Sequence, residues 1–348
     1  MKKVISILLA LVLIVCLFSC SVKTEEERAG FVRIGEEEIY PEYVLLFNGK
    51  KVLFDEFRYC YLNYRDMHLA EDEAYFEREG AEETLKEEVL QFLLSNWAVR
   101  FLAETHKISL TRAETAAVNE EIDALIEESG GKDAFAAALR KQYMTESFYR
   151  SLMRYYALYK KTFDALFAEG SPEAWSDEEF YAYYQEHYLS VQEIYIAFEA
   201  GESPENCPKT EERIRAVHAE ALAGQDFWKL VEKYGEDPNM EKNPAGYYFT
   251  RGQAEEALYL ASKALAENEV SAPVRGSSGY YIIKRVPMTQ AKMEENKSTA
   301  LYGYEDSYGA SYGGAYEDAF AELYEAVAKS ITVEFWDKWD QLSTKTVQ

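Results

Sequence analysis

Apolar and polar positions divide this chain into stretches with different periods. Val4 to Phe18 is an almost unbroken apolar run, interrupted only by Ser6 and preceded by Lys2 and Lys3. It is too short to span a bilayer comfortably, and it has the layout of a cleavable secretory signal. Val22 to Gly30, with Lys23-Thr24-Glu25-Glu26-Glu27-Arg28 at its centre, has no apolar period and reads as a solvated tether. Tyr43 to Phe47 and Lys50 to Phe54 then flank Asn48-Gly49, the signature of a hairpin with a tight turn, and Asp55 is placed to cap a helix reaching about Leu69.

From Ala81 the period becomes helical. Leu85, Val89, Phe92, Leu93, Trp97 and Phe101 recur at steps of three and four and predict one broad core-facing stripe. Thr111 with Glu114 predicts a capping box and a helix that stops at Gly130-Gly131. A short helix with Phe135 and Leu139 follows. A long one then starts at Thr145 and carries Phe148, Leu152, Tyr156, Tyr159 and Phe163, and Ser176 with Glu179 caps another that ends near His187.

At Leu189 the pattern changes again. Val191 to Phe198 reads as a strand, Lys209 to Ala223 and Asp226 to Tyr234 as helices, and Tyr247-Tyr248-Phe249 as a strand. A helix from about Glu255 and strand signals at Ala272 to Arg275 and Gly279 to Arg285 complete a compact α+β unit of about a hundred residues. After Pro287 a polar segment leads into Tyr302 to Tyr316, rich in Gly, Tyr and Ser, which reads as a flexible loop. Helical periodicity resumes at Ala315, and the aromatics that follow, including Trp336 and Trp339, need a place to be buried. The expected fold class is therefore α+β: a mostly helical body with an inserted compact domain, whose small antiparallel sheet is surrounded by helices.

Charge narrows the function. The 348 residues carry a formal net charge of −25, and removing Lys2 and Lys3 with the signal takes this to about −27. Such a surface repels nucleic acid and anionic headgroups, so no nucleic-acid partner is expected and any membrane attachment has to come from a lipid. Besides Cys16 and Cys20 only Cys60 and Cys207 remain; export permits them to pair, but they make no framework. His68, His106, His187 and His218 are scattered singly, no metal-ligand spacing occurs, and no Gly-rich nucleotide loop or GxSxG is present. Neither metal, cofactor nor nucleotide is expected.

Leu17-Phe18-Ser19-Cys20 resembles the lipobox of bacterial lipoproteins. The resemblance implies that Cys20 is lipidated and becomes the first residue of a mature chain held on the extracytoplasmic face of the cell membrane. The alternatives are an ordinary secretory signal with an incidental cysteine, and an uncleaved membrane anchor, which would leave the topology unchanged.

The compact unit resembles the parvulin family of peptidyl-prolyl isomerases. The resemblance rests on segments in the family's order: Glu193-Ile194-Tyr195-Ile196, Gly224-Gln225-Asp226-Phe227, Glu236-Asp237, Phe249-Thr250-Arg251-Gly252-Gln253, Glu269 to Val274, and Ser278-Gly279-Tyr280-Tyr281-Ile282-Ile283. The surrounding helices resemble the chaperone domain of PrsA-type foldases and SurA-type periplasmic chaperones. Together these imply a signal at 1–19, a lipidated tether at 20–35, a helical chaperone-like domain over 36–188, a parvulin-like domain over 189–287, a flexible Gly- and Tyr-rich linker over 288–314, and a C-terminal helix over 315–348 that returns to the helical body.

By that resemblance Asp237 is the rim acid of the isomerase site and Ser278 also matches. Glu193 and Tyr281 stand where parvulins carry two floor histidines. Ala254 and Leu258 stand for the pocket's Met and Phe, Phe249 lies beside them, and Gly276 replaces a Thr. Two readings follow. In one, Tyr281 donates to Glu193 or Asp237, and the two carboxyls hold a proton that polarises the substrate carbonyl. In the other, these positions only support the fold, with Glu193 a solvated carboxylate at a strand edge; the smaller pocket favours this one. The expectation is a membrane-anchored foldase of the prolyl isomerase family that binds unfolded or nascent exported proteins, with isomerase activity weak or lost. An active isomerase with a rearranged site is the first alternative, and a non-catalytic cell-surface interaction module with the Tyr-rich segment as its contact is the second.

Overall fold

A computed structural model describes residues 30–305, 311–312 and 314–348. The expected signal, Cys20, most of the tether and part of the Tyr-rich segment lie outside the described residues. The chain divides into two units. The first runs up to Ala174 and resumes at Leu301, so the second, Trp175–Ala300, is an insertion in it.

In the first unit β1 (Val32–Ile34) and β2 (Glu37–Ile39) form a hairpin, and β3 (Tyr43–Phe47) and β4 (Lys50–Leu53) form another. Asn48 and Gly49 turn the second hairpin, both with φ in the left-handed region, at 50° and 74°. That is what an Asn-Gly turn between twisted strands requires. The tether therefore stops short of residue 35: Val32 is fully buried and bridges Val347 near the chain's end.

Helix α1 (Phe54–Glu71) starts two residues earlier than expected, with Leu53 rather than Asp55 at its N-cap. Asp55 sits in its first turn and accepts from Thr145 Oγ1 at 2.9 Å. In α2 (Ala81–Thr105), Leu85, Val89, Leu93 and Trp97 are buried at steps of four. Phe92, one residue out of that row, is rotated by about 100° and left 38% exposed. Helices α3 (Arg112–Glu128), α4 (Lys132–Arg140) and α5 (Glu146–Phe167) enclose a separate cluster around Ile122, Phe135, Leu139 and Tyr149. The Thr111–Glu114 capping box is formed in both directions.

The second unit opens with α6 (Asp177–His187), whose capping box joins Ser176 and Glu179. Its sheet has the order β6-β5-β8-β7, antiparallel throughout, built from β5 (Leu189–Ala197), β6 (Tyr247–Phe249), β7 (Val274–Arg275) and β8 (Gly279–Arg285). Helices α7 (Pro208–Leu222) and α8 (Phe227–Tyr234) cover the face bearing Ile194, Ile196 and Ile282. After the short α9 (Pro238–Lys242), helix α10 (Glu256–Ala264) covers the face bearing Val191, Phe249 and Ile283.

Two expectations about the last quarter of the chain need correction. The linker begins with a helix, α11 (Gln290–Tyr302), joined to α6 by Lys297–Asp177, Tyr181–Glu294 and Asn296–Tyr184 contacts. Its polar composition hid it: only Met293, Ala300 and Leu301 are buried, and the rest of its hold comes from these hydrogen bonds and ion pairs. A small strand pair, β9 (Tyr304–Glu305) with β10 (Ser311–Tyr312), follows Gly303, which takes φ 75°.

The C-terminal segment is also not one helix. Helix α12 (Ala315–Ala328) ends, and β11 (Val333–Phe335) pairs with β3. The run Ile331-Thr332-Val333 is β-branched and resists helix, while Thr332 exchanges three hydrogen bonds with Asn48. Phe320 is fully buried, its ring edge-on to Tyr159 at 5.0 Å and to Phe163 at 5.6 Å. Trp339 lies 5.4 Å from Phe57. Cys60 and Cys207 are both free and buried.

Replacing Phe320 by Ala removes one of these buried rings and should cost about 3–5 kcal/mol. The loss will be read as a lower urea midpoint for the first unit.

Candidate functional site

The site is built on an edge of β5. Strand β6 pairs with β5 only from Leu189 to Val191, so the backbone groups of β5 beyond that point need other partners. The segment after α8 supplies them. Glu193 N–H donates to Met240 Sδ at 3.2 Å, Tyr195 O accepts from Glu236 N–H at 2.9 Å, and Ala197 N–H donates to a Glu236 carboxylate oxygen at 2.9 Å. Arg213 holds Glu236 at 2.7 Å. Asp237, next in the chain, caps α9 through Asn239 N–H at 2.9 Å, and its carboxyl comes within hydrogen-bonding reach of Glu193.

Glu193 is not a solvated carboxylate. It is 4% exposed, opposite Ile283 in the sheet and on the same face as Val191 and Tyr195. Burial, then the hydrogen bond and charge of Asp237, push its pKa up to about 8. An ionised Glu193 would leave Oε2 buried without a donor, a cost that favours the protonated acid. At neutral pH Glu193 is thus mainly a neutral acid beside Asp237.

Tyr281 does not donate to Glu193 or to Asp237. Its hydroxyl goes to Glu255 Oε2 at 3.1 Å, and Glu255 Oε1 also accepts from Ser277 N–H at 2.5 Å. Burial acts to raise Glu255, but these bonds outweigh it and hold the carboxyl below the usual range. Tyr281 is pushed up, first by burial and then by the charges of Glu255 and Glu193. Gly276 is what permits this pairing. A Cβ there would lie 2.4 Å from Glu255 Oε2 and 2.6 Å from Tyr281 Cε2.

Register brings Tyr195 opposite Tyr281, with ring centroids 4.9 Å apart, and Tyr195 Oη shares a 2.8 Å hydrogen bond with Ser278 Oγ. Of the expected pocket residues, Phe249 is fully buried and Leu258 nearly so, packed with Leu189 and Ile283; Ala254 is half-buried beside them. Phe249 and Leu258 therefore serve the core and offer little surface to a ligand.

Sequence reading missed Glu255, Tyr195, Glu236 and Met240 as members of the site. Strand alternation places Tyr195 on the Glu193 face, so it could have been found; Glu236 and Glu255 are brought in by loops and Met240 by the short α9. Among the described residues no three or more His, Cys, Asp and Glu side chains gather in a way that could hold a metal ion.

A family model described as "Rotamase: PPIC-type PPIASE domain" matches residues 194–286. The inserted unit holds a PPIC-type rotamase domain. Foldase protein PrsA 1 of Bacillus cereus is 34% identical over 85 residues, covering 24% of this chain and 30% of that protein. Foldase protein PrsA 2 of Listeria innocua is 25% identical over 210 residues, covering 59% and 64%. The chain thus spans less than two thirds of the length of these relatives. A crystal structure of PrsA from Bacillus cereus covers 71% of this chain and 79% of its own at 20% identity, with a TM-score of 0.31. By sequence, the rotamase domain sits within a chain similar to PrsA foldases.

Because the pKa of folded Glu193 lies above its ordinary 4.5, its contribution to stability is complete below pH 4.5 and is lost as pH rises through about 8. The urea midpoint of the rotamase unit should fall over that window, and Glu193→Gln should flatten the fall. A wild-type profile as flat as the variant's would mean that Glu193 is ionised in the fold.

Proposed function

We propose that this protein is a lipid-anchored foldase on the extracytoplasmic face of the membrane. Its helical body binds unfolded exported polypeptides without ATP, and its rotamase domain turns prolyl bonds slowly or not at all. Rotation about an X-Pro bond faces a barrier of about 18–20 kcal/mol and takes tens to hundreds of seconds unaided. Catalysis needs an apolar seat for the proline ring and groups that bind the twisted carbonyl better than the planar one. No cofactor enters.

The observation that carries the reading is how the site's polar groups are used. Tyr281 is engaged by Glu255, and the Glu193 proton by Asp237, while Phe249 and Leu258 are packed inside. Each group that could meet a substrate carbonyl already has an internal partner, so engaging substrate would cost that partner.

A second reading, an active isomerase with a rearranged site, draws on the same carboxyl pair. A neutral Glu193 beside Asp237 is a proton donor at neutral pH of the kind a developing carbonyl charge could use.

In a protease-coupled assay on a proline tetrapeptide, exchange should stay within about twofold of the uncatalysed rate, and Asp237→Ala should leave it unchanged. A large acceleration abolished by Asp237→Ala would establish the second reading instead. A several-fold molar excess of the protein should suppress aggregation of an unfolded client without ATP.

Lipid attachment at Cys20 has a separate test. Cys20→Ala should move the folded protein from the membrane to the soluble fraction, and a variant that stays with the membrane would rule out this anchor.

A further inference from the structure

In the first unit an open groove of about 760 Å³ runs along α1 and α2, away from the core. Its floor is apolar and aromatic: Tyr64 and Phe92 lie with ring centroids 5.9 Å apart. Met67, one turn of α1 beyond Tyr64, is 48% exposed. Its rim carries Glu83, Glu87 and Glu88.

Glu88 is occupied by His68, at 2.6 Å. Among the described residues Glu87 accepts only from the neutral Gln91 amide, at 2.7 Å. Among the described residues no cation pairs with Glu83 or Glu87. Glu83 lies in the first turn of α2, where the helix dipole favours a carboxylate, but that effect has faded by Glu87. Exposed aromatic surface bordered by uncompensated carboxylates is complementary to a ligand that is apolar and cationic at once. A second copy of this chain, at net charge −25, and an anionic lipid surface are both repelled.

We infer that this groove docks cationic segments of unfolded polypeptide, with Tyr64 and Phe92 receiving an aromatic or aliphatic side chain and Glu83 and Glu87 an adjacent Lys or Arg. The inference rests on the foldase reading and adds to it a surface and a class of client. Basic segments flanked by apolar residues are held, and acidic ones are left free. The contact weakens with salt, because both carboxylates stand at the surface.

The test is fluorescence anisotropy of the full chain with a short unstructured peptide alternating Lys, Phe and Gly, and with its twin carrying Glu for Lys. The Lys peptide should bind at least about tenfold tighter than its twin. Binding should weaken about fivefold in the double variant Glu83→Gln/Glu87→Gln and about tenfold in Phe92→Ser. All three positions are exposed or at the rim, and an unchanged urea midpoint will confirm that the variants fold.

Equal affinity across wild type and variants would overturn the assignment of the groove. So would self-association that Phe92→Ser abolishes, which would give the groove to a second copy. If the Lys peptide fails to bind while an unfolded client is still kept from aggregating, the groove inference falls and the foldase reading stands. Failure of both would remove both.

Discussion

Strand β5 is buried along nearly its whole length, and a buried strand must satisfy its backbone on both edges. On one side β8 does so from Val191 to Ala197. On the other, β6 stops at Val191, and the rest of that edge is closed by Met240 Sδ and by the backbone and carboxylate of Glu236. The site follows from this repair. A segment that must lie against the β5 edge carries Asp237 with it and sets its carboxyl against Glu193. The upward shift of the Glu193 pKa, caused first by burial and then by Asp237, is then a consequence of backbone accounting.

In the same domain the polar side chains of the site are engaged with one another, while the apolar ones hold the sheet and helices together. The absence of a Cβ at Gly276 leaves room for Glu255, which takes the Tyr281 hydroxyl and the Ser277 amide together. The sheet register that sets Tyr195 against Tyr281 is untouched by this. Core and polar network thus rest on different residues: the first on Ile194, Ile196, Ile282 and Ile283, the second on Glu193, Asp237, Glu255 and Tyr281.

In the first unit the comparable constraint is closure over a long stretch of chain. Strand β3 has one edge on β4, and its other edge stays open until Val333–Phe335 has been made. Asn48, which forms the β3–β4 turn, also receives Thr332 from the far end of the sequence. Val347 bridging Val32, and Leu342 in the same core as Phe57, extend the closure. An unpaired strand edge is a liability during synthesis, and the inserted domain lengthens the wait for its partner.

What could be read in advance follows the range of the interactions. The Thr111–Glu114 and Ser176–Glu179 capping boxes, the Asn48-Gly49 turn, and the steps of four from Leu85 to Trp97 depend on neighbours within a few residues. So the sequence alone determined those elements, the α+β class and the order of strands and helices in the rotamase domain.

It did not determine that Phe92 would face solvent, that polar residues 290–302 would be helical, or that Val333–Phe335 would be a strand. Nor did it determine that Glu193 would be buried or that Tyr281 would turn to Glu255. Apart from Phe92, each of these is decided by a partner far away in the chain: α6 for the helix, β3 for the strand, the segment from Glu236 to Met240 for the carboxyl pair, and Glu255 for Tyr281. Local chemistry can say what a residue is able to bond with. Only the tertiary structure, by closing water out and bringing one particular partner near, decides which bond is made.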